Sequence, residues 1–164
     1  MSHHVRQWGL ALIVVALAAP VGTAQSTDPA YIGKWKLNVA KSKYEPGPPP
    51  KSGMRTHEDR GGGLVIIWTE GVNAQGQPTH GAYAYKLDGK DYPQAQPGNA
   101  SLGTIALKAT DANTVTFTTK QDGKAVGTGT RTLSKDGKTM TIATKGTNAQ
   151  GQATSTTQIW EKQP

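Results

Sequence analysis

The sequence predicts an all-β fold, an antiparallel up-and-down β-barrel of about ten strands (eight to ten). Two observations predict it. Beyond the N-terminus no stretch reads as a long amphipathic helix; instead, short alternating runs rich in Thr and other β-branched residues recur between turn residues. Asp88-Gly89, Asp122-Gly123 and Asp136-Gly137 are hairpin signals, because Asp and Gly tolerate the positive φ that tight turns require.

The first element lies outside the barrel. Arg6 precedes the apolar run Gly9–Ala19, followed by Pro20 and the small residues Gly22-Thr23-Ala24, the pattern of a secretory signal peptide. The run is shorter than the ~20 residues that span a bilayer. Residues 1–24 are therefore expected to be a signal peptide and 25–164 a single exported domain, periplasmic or extracellular, with no transmembrane segment. The chain has no Cys, which excludes disulfide scaffolds, thiol chemistry, thiolate metal sites and anchoring through a lipidated Cys. Without Arg6, 17 Lys and Arg face 11 Asp and Glu. Lys90, Lys120, Lys124, Lys135, Lys138 and Lys145 stand singly near turns, a solvated rim that discourages edge pairing. A nucleic-acid footprint needs basic residues gathered on one face with stacking aromatics, so no nucleic-acid partner is expected. The charge is compatible with weak attraction to an anionic cell surface, and the domain is expected to be a monomer.

The strands follow in order. Tyr31–Leu37 places Tyr31, Gly33, Trp35 and Leu37 on one face. A connector, Asn38–Lys51, ends in the stiff, extended run Glu45-Pro46-Gly47-Pro48-Pro49-Pro50. Gly53–Asp59, Leu64–Glu70, Thr79–Leu87, Lys90–Gln94 and Ser101–Lys108 come next, then Asn113–Lys120, Lys124–Leu133, Lys138–Thr144 and Ala153–Lys162. Pro93 makes Lys90–Gln94 an edge strand or no strand. The segment 71–79 recurs at 146–154 around Asn-Ala-Gln-Gly-Gln; two copies are too few for a solenoid and read as one favourable turn used twice. If every strand runs up and down, the Pro-rich connector, both Asn-Ala-Gln-Gly-Gln loops and the loop Pro97-Gly98-Asn99-Ala100 gather at one end, as an open mouth over a closed base.

Gly33-x-Trp35 resembles the opening signature of the calycins, the lipocalins and fatty-acid-binding proteins. Thr157-Gln158-Ile159-Trp160-Glu161-Lys162 resembles the closing strand of the fatty-acid-binding proteins, Thr-Arg-x-Tyr-Glu-Lys. Gly33-Lys34-Trp35-Lys36-Leu37-Asn38 with Lys41-Ser42 is similar to uncharacterised bacterial secreted lipocalin-like proteins. The resemblance implies an inward Trp35 near the barrel base and a ligand held inside. Fatty-acid-binding proteins hold a carboxylate with arginines on late strands. Arg131 falls close to one of these, whereas Gln158 stands at the other and Trp160 at the tyrosine that follows it. Members with Gln at such positions are associated with neutral ligands such as alcohols. The chain departs from the family in its short connector where a helical lid would sit, in its export signal, and in lacking the lipocalin disulfides and later motifs.

The chemistry of a ligand follows from magnitudes. Burying ten methylenes yields ~8 kcal/mol, or a Kd near ~1 μM before ordering costs. A buried carboxylate without a partner costs several kcal/mol and would cancel most of this. With Gln158 in place of a second arginine, only Arg131 offsets a charge, which favours neutral or singly paired amphiphiles. Either the face of Arg131 or that of Val126, Thr128, Thr130 and Thr132 is the inner one, since a one-residue slip exchanges them. Tyr83 and Tyr85 line a cavity or fill it; Trp68, Ile105, Leu107, Val115, Phe117, Met140 and Ile142 read as core. His57-Glu58-Asp59 with His80 is the one titratable cluster of interest, but His57 and Glu58 point to opposite strand faces. No zinc, calcium or phosphate-loop motif appears, so no catalytic residue, metal or cofactor is expected. The expected function is non-catalytic binding of a small apolar or amphiphilic, lipid-like molecule, lined by Tyr83, Tyr85, Phe117, Arg131, Gln158 and Trp160. The alternative is a filled barrel acting through its loops as a protein-interaction or inhibitor module.

Overall fold

A computed structural model describes residues 29–95, 102–148 and 150–164. The expected signal peptide and the loop Pro97-Gly98-Asn99-Ala100 lie outside the described residues. The strands are β1 (Gly33–Leu37), β2 (Lys43–Glu45), β3 (Ser52–Asp59), β4 (Val65–Val72), β5 (Pro78–Tyr85) and β6 (Asp88–Ala95). They continue as β7 (Gly103–Ala109), β8 (Thr114–Gln121), β9 (Lys124–Leu133), β10 (Thr139–Thr147) and β11 (Ala153–Lys162). All but β2 pair antiparallel in sequence order, and β11 pairs back onto β1, closing an up-and-down barrel of ten strands. The extra strand β2 extends the β1 side of β11, with Lys43 opposite Thr157 and Glu45 opposite Ser155. β1 and β2 are thus one strand interrupted by a short 3-10 turn, Val39–Lys41, whose first turn is capped by the Asn38 side chain accepting from the Lys41 N–H.

Pro93 falls inside a barrel strand, not on an edge. Its strand β6 pairs with β7 through Asp91–Gln94 but with β5 only through Ala82–Ala95 and Tyr83–Gln94. A residue without an N–H is tolerated where the ladder is already interrupted. Asp88-Gly89 is where β5 turns back into β6: the register Ala82–Ala95 and Tyr83–Gln94 centres the reversal on it, with Gly89 at φ 74° and a register shift against β7 between Asp88 and Asp91. Asp122-Gly123 likewise forms a tight turn, both residues at positive φ (50° and 75°). With β6 in place the connections alternate between two ends. The mouth carries the 38–51 connector and the two Asn-Ala-Gln-Gly-Gln loops; the base carries the turns at 60–64, 110–113 and 134–138.

The lower half of the barrel is filled. Trp35, Ile67, Leu107 and Met140 are fully buried there, together with Val115 and Leu133. Tyr31 plugs the base: its single hydroxyl proton is shared between the carbonyls of Asn113 (2.7 Å) and Arg131 (3.2 Å), and its own carbonyl accepts from Trp35 Nε1 (2.9 Å). Trp68 is not core. On β4 the inward set is Val65, Ile67 and Thr69, so the intervening Trp68 points outward and is 49% exposed. The run Leu64–Trp68 is apolar on both faces, which conceals this alternation in the sequence. Gly129 admits Phe117: a Cβ there would run into the Phe117 ring and the Ala143 carbonyl oxygen.

Candidate functional site

Above the filled base lies an interior cavity of about 380 Å³. Its floor is Arg131 with Ile142, its walls include Ile105, Phe117, Thr119 and Thr156, and its upper rim is Thr147 and Thr154 at the mouth. A strand rises ~3.3 Å per residue, and at a tilt near ~40° the stretch from Ile142 to Thr147 makes the cavity roughly 13 Å deep.

Arg131 resolves the open orientation: it faces inward and is 1% exposed, although charged. The pairing sets this, since Arg131 lies opposite Val115 on β8 and Ile142 on β10, both buried. Its Nη1 donates to the Tyr85 hydroxyl (3.0 Å) and its Nη2 to the Tyr83 hydroxyl (3.1 Å), while the guanidinium lies over the Tyr31 and Tyr85 rings. A second guanidinium joins it. Arg55, on β3, donates through Nη2 to the same Tyr83 hydroxyl (3.1 Å) and lies over the Trp160 ring at 5.3 Å. The expectation that Arg131 alone offers positive charge is therefore corrected, and the preference for neutral or singly paired ligands loses that premise. Gln158 does occupy the late-strand position, but the second arginine comes from an early strand.

Among the described residues no carboxylate balances this pair. The cavity wall contains no Asp or Glu, and the ion pairs among the described residues, Lys41–Glu161, Arg60–Glu58 and Lys120–Asp91, all lie at the surface. The Nε atoms of both arginines are buried without hydrogen-bond partners. Burial lowers the pKa of Arg55, with Tyr83 opposing and Arg131 adding to the fall. For Arg131 burial also works downward, but the Tyr83 and Tyr85 oxygens outweigh it and the pKa rises. Arginine stays protonated in either case. Among the described residues, then, the two positive charges of the interior meet phenol oxygens and ring faces alone. Below them His57 is buried with neither ring nitrogen hydrogen-bonded, its pKa pulled well down by burial and then by Arg131, Arg55 and Lys162.

All six sequence-derived residues come together around this pair. Tyr83, Phe117, Arg131 and Gln158 line the cavity. Tyr85 lies beneath it as an acceptor for Arg131, and Trp160 stacks behind Arg55 with its Nε1 donating to Gln158 Oε1 (3.1 Å). Arg55 is not among the six, and His57 enters the sequence reading only through the titratable cluster with His80, not as a cavity residue. The signal for them is cross-strand: Trp35 faces inward and lies opposite Arg55, and residues directly opposite share a face. The titratable cluster does not assemble, because His57 is interior whereas His80 pairs with Glu70 on β4 and lines a groove on the outer face. That groove, about 690 Å³ around Trp68, is larger than the interior cavity but shallow and on the outside of the sheet. Among the described residues no group of His, Asp and Glu could hold a metal, and no helix is long and apolar enough to cross a membrane.

No protein-family model and no curated protein matches the chain. Solved structures do. A mutant of the fluorescent protein UnaG aligns over 84% of this chain and 99% of its own, at 11% identity and a TM-score of 0.55. A redesigned β-barrel (16% identity, 84% and 95% covered, TM-score 0.49) and EF1p2_mFAP2b bound to DFHBI (11% identity, 86% and 100% covered, TM-score 0.48) are also similar. The likeness to the UnaG mutant is one of fold, the closed up-and-down β-barrel described above.

Proposed function

We propose that the mature chain is an exported, non-catalytic binding protein that holds one small amphiphile in its barrel cavity by an acidic head group. It belongs, on this reading, with the secreted lipocalin-like proteins its opening strand resembles. The observation that carries the proposal is the pair Arg55 and Arg131, two cations facing one cavity with no carboxylate partner among the described residues. Burying unpaired charge costs several kcal/mol per ion. A ligand carboxylate, sulfonate or phosphate would supply the missing counter-charge, with each charge-assisted hydrogen bond worth ~1.5–3 kcal/mol. The open upper half of the interior favours this over a filled barrel acting through its loops.

The fluorescent probes 1-anilinonaphthalene-8-sulfonate and N-phenyl-1-naphthylamine share their ring system and differ by the sulfonate. The anionic probe should bind the folded mature chain with one-to-one stoichiometry and be lost in Arg131→Met. Equal uptake of both probes, unchanged in Arg131→Met, would show that the arginines recognise no head group.

A further inference from the structure

The cavity wall is divided in a way that an aliphatic tail does not use. Ile105 on β7, Phe117 on β8 and Ile142 on β10 give it an apolar patch. Hydrogen-bonding side chains stand around that patch, Thr119 on β8 and Thr144 on β10, and are densest on β11 with Thr154, Thr156 and Gln158. Ligand sites are usually lined mainly by apolar side chains with a few polar groups, and here the polar residues are the majority. An alkyl chain is apolar on every side. Laid in this cavity it would cover threonine hydroxyls and a glutamine amide without replacing their water, and a site built to hydrogen-bond discriminates against ligands that leave its polar groups unpaired.

Two features make the division a fixed one. The Phe117 ring sits where Gly129 lacks a side chain, so its position is set by backbone. The Trp160 indole donates to Gln158 Oε1, which orients the amide at the cavity wall. We infer that the natural ligand is a compact hydroxylated organic acid, most simply a phenolic acid. Its carboxylate meets Arg55 and Arg131, one face of its ring packs on Ile105, Phe117 and Ile142, and its hydroxyls reach the Thr156 and Gln158 side. The inference rests on the acidic-head reading above and adds the nature of the rest of the molecule. A volume of about 380 Å³ is near the lower end of ligand cavities, in keeping with a compact molecule.

The test is calorimetric titration of the folded mature chain with caffeate, cinnamate and dodecanoate. Cinnamate is caffeate without its hydroxyls, and dodecanoate carries the same charge on an alkyl chain. Caffeate should bind about tenfold more tightly than either. Thr156→Val and, separately, Gln158→Leu should weaken caffeate severalfold and leave cinnamate unchanged. If cinnamate or dodecanoate binds as tightly as caffeate while Arg131→Met abolishes all three, the acidic-head reading stands and this inference is overturned. If none of the acids binds, or binding is indifferent to Arg131→Met, both fall together.

Discussion

Arg55→Met separates what the paired arginines do for binding from what they cost the fold. Both guanidiniums donate to one Tyr83 oxygen at 3.1 Å, so the donating nitrogens are no more than about 6 Å apart. At an effective dielectric of about 20, unit charges at that distance repel by ~3 kcal/mol, and water in the cavity lowers this toward ~2. Removing Arg55 forfeits one hydrogen bond to a neutral acceptor, ~1 kcal/mol, and partly exposed contacts with two aromatic rings. The Tyr83 hydroxyl is not orphaned, because Arg131 still donates to it. The methionine returns apolar contact with Trp160, and the balance is a ligand-free protein more stable by ~1 kcal/mol, or ~3–5 °C in Tm. The same change should weaken an acidic ligand by ~10–100-fold, the loss of one charge-assisted contact. Thermal melts of wild type and Arg55→Met, with and without 1-anilinonaphthalene-8-sulfonate, measure both effects. A fall of several degrees in the ligand-free variant would refute the reasoning, since Arg55 would then be supporting the barrel.

Other consequences follow from the same geometry. His57 is held neutral in the folded state while an unfolded histidine titrates near ~6.5, so stability is full above that pH and falls below it by up to ~1.4 kcal/mol per unit. Denaturant melts between pH 6.5 and 5 should show that slope in wild type and a shallower one in His57→Leu; identical slopes would mean that His57 is protonated in the fold. Gly129→Ala drives a methyl into the Phe117 ring and a backbone carbonyl, and should lower stability by more than ~2 kcal/mol or prevent folding, read by circular dichroism. Trp68→Ser, on the exposed outer face, should change stability by less than ~1 kcal/mol and leave probe uptake intact. Intact-mass measurement of the exported protein should place its N-terminus at Gln25; a chain retaining residues 1–24 would contradict export by cleavage.

The strands were legible because turn chemistry and alternation repeat along the chain, and the base was legible because Trp35 and the apolar set of β7, β8 and β10 alternate cleanly. Three things were hidden. Strand β6 carries a proline that local rules reject, and only barrel closure, a property of the whole chain, supplies both its neighbours. Trp68 sits in a run apolar on both faces, where hydrophobicity cannot mark the inside. Arg55 alternates with Met54 and Thr56, so the more apolar set of that strand suggests the wrong face; its inward position follows from the register against Trp35. The candidate site was therefore found by its aromatic and late-strand residues, while its charge was undercounted by one. That single guanidinium moves the proposed ligand from a neutral or singly paired amphiphile to an acid held by two cations.

The most direct test of the acidic-ligand account is solvent extraction and mass spectrometry of the mature chain purified natively from its own exported fraction. An organic acid in near-stoichiometric amount from wild type, absent from Arg131→Met, is the predicted result. A neutral molecule recovered equally from both, or an empty folded protein that also fails to take up 1-anilinonaphthalene-8-sulfonate, would contradict it.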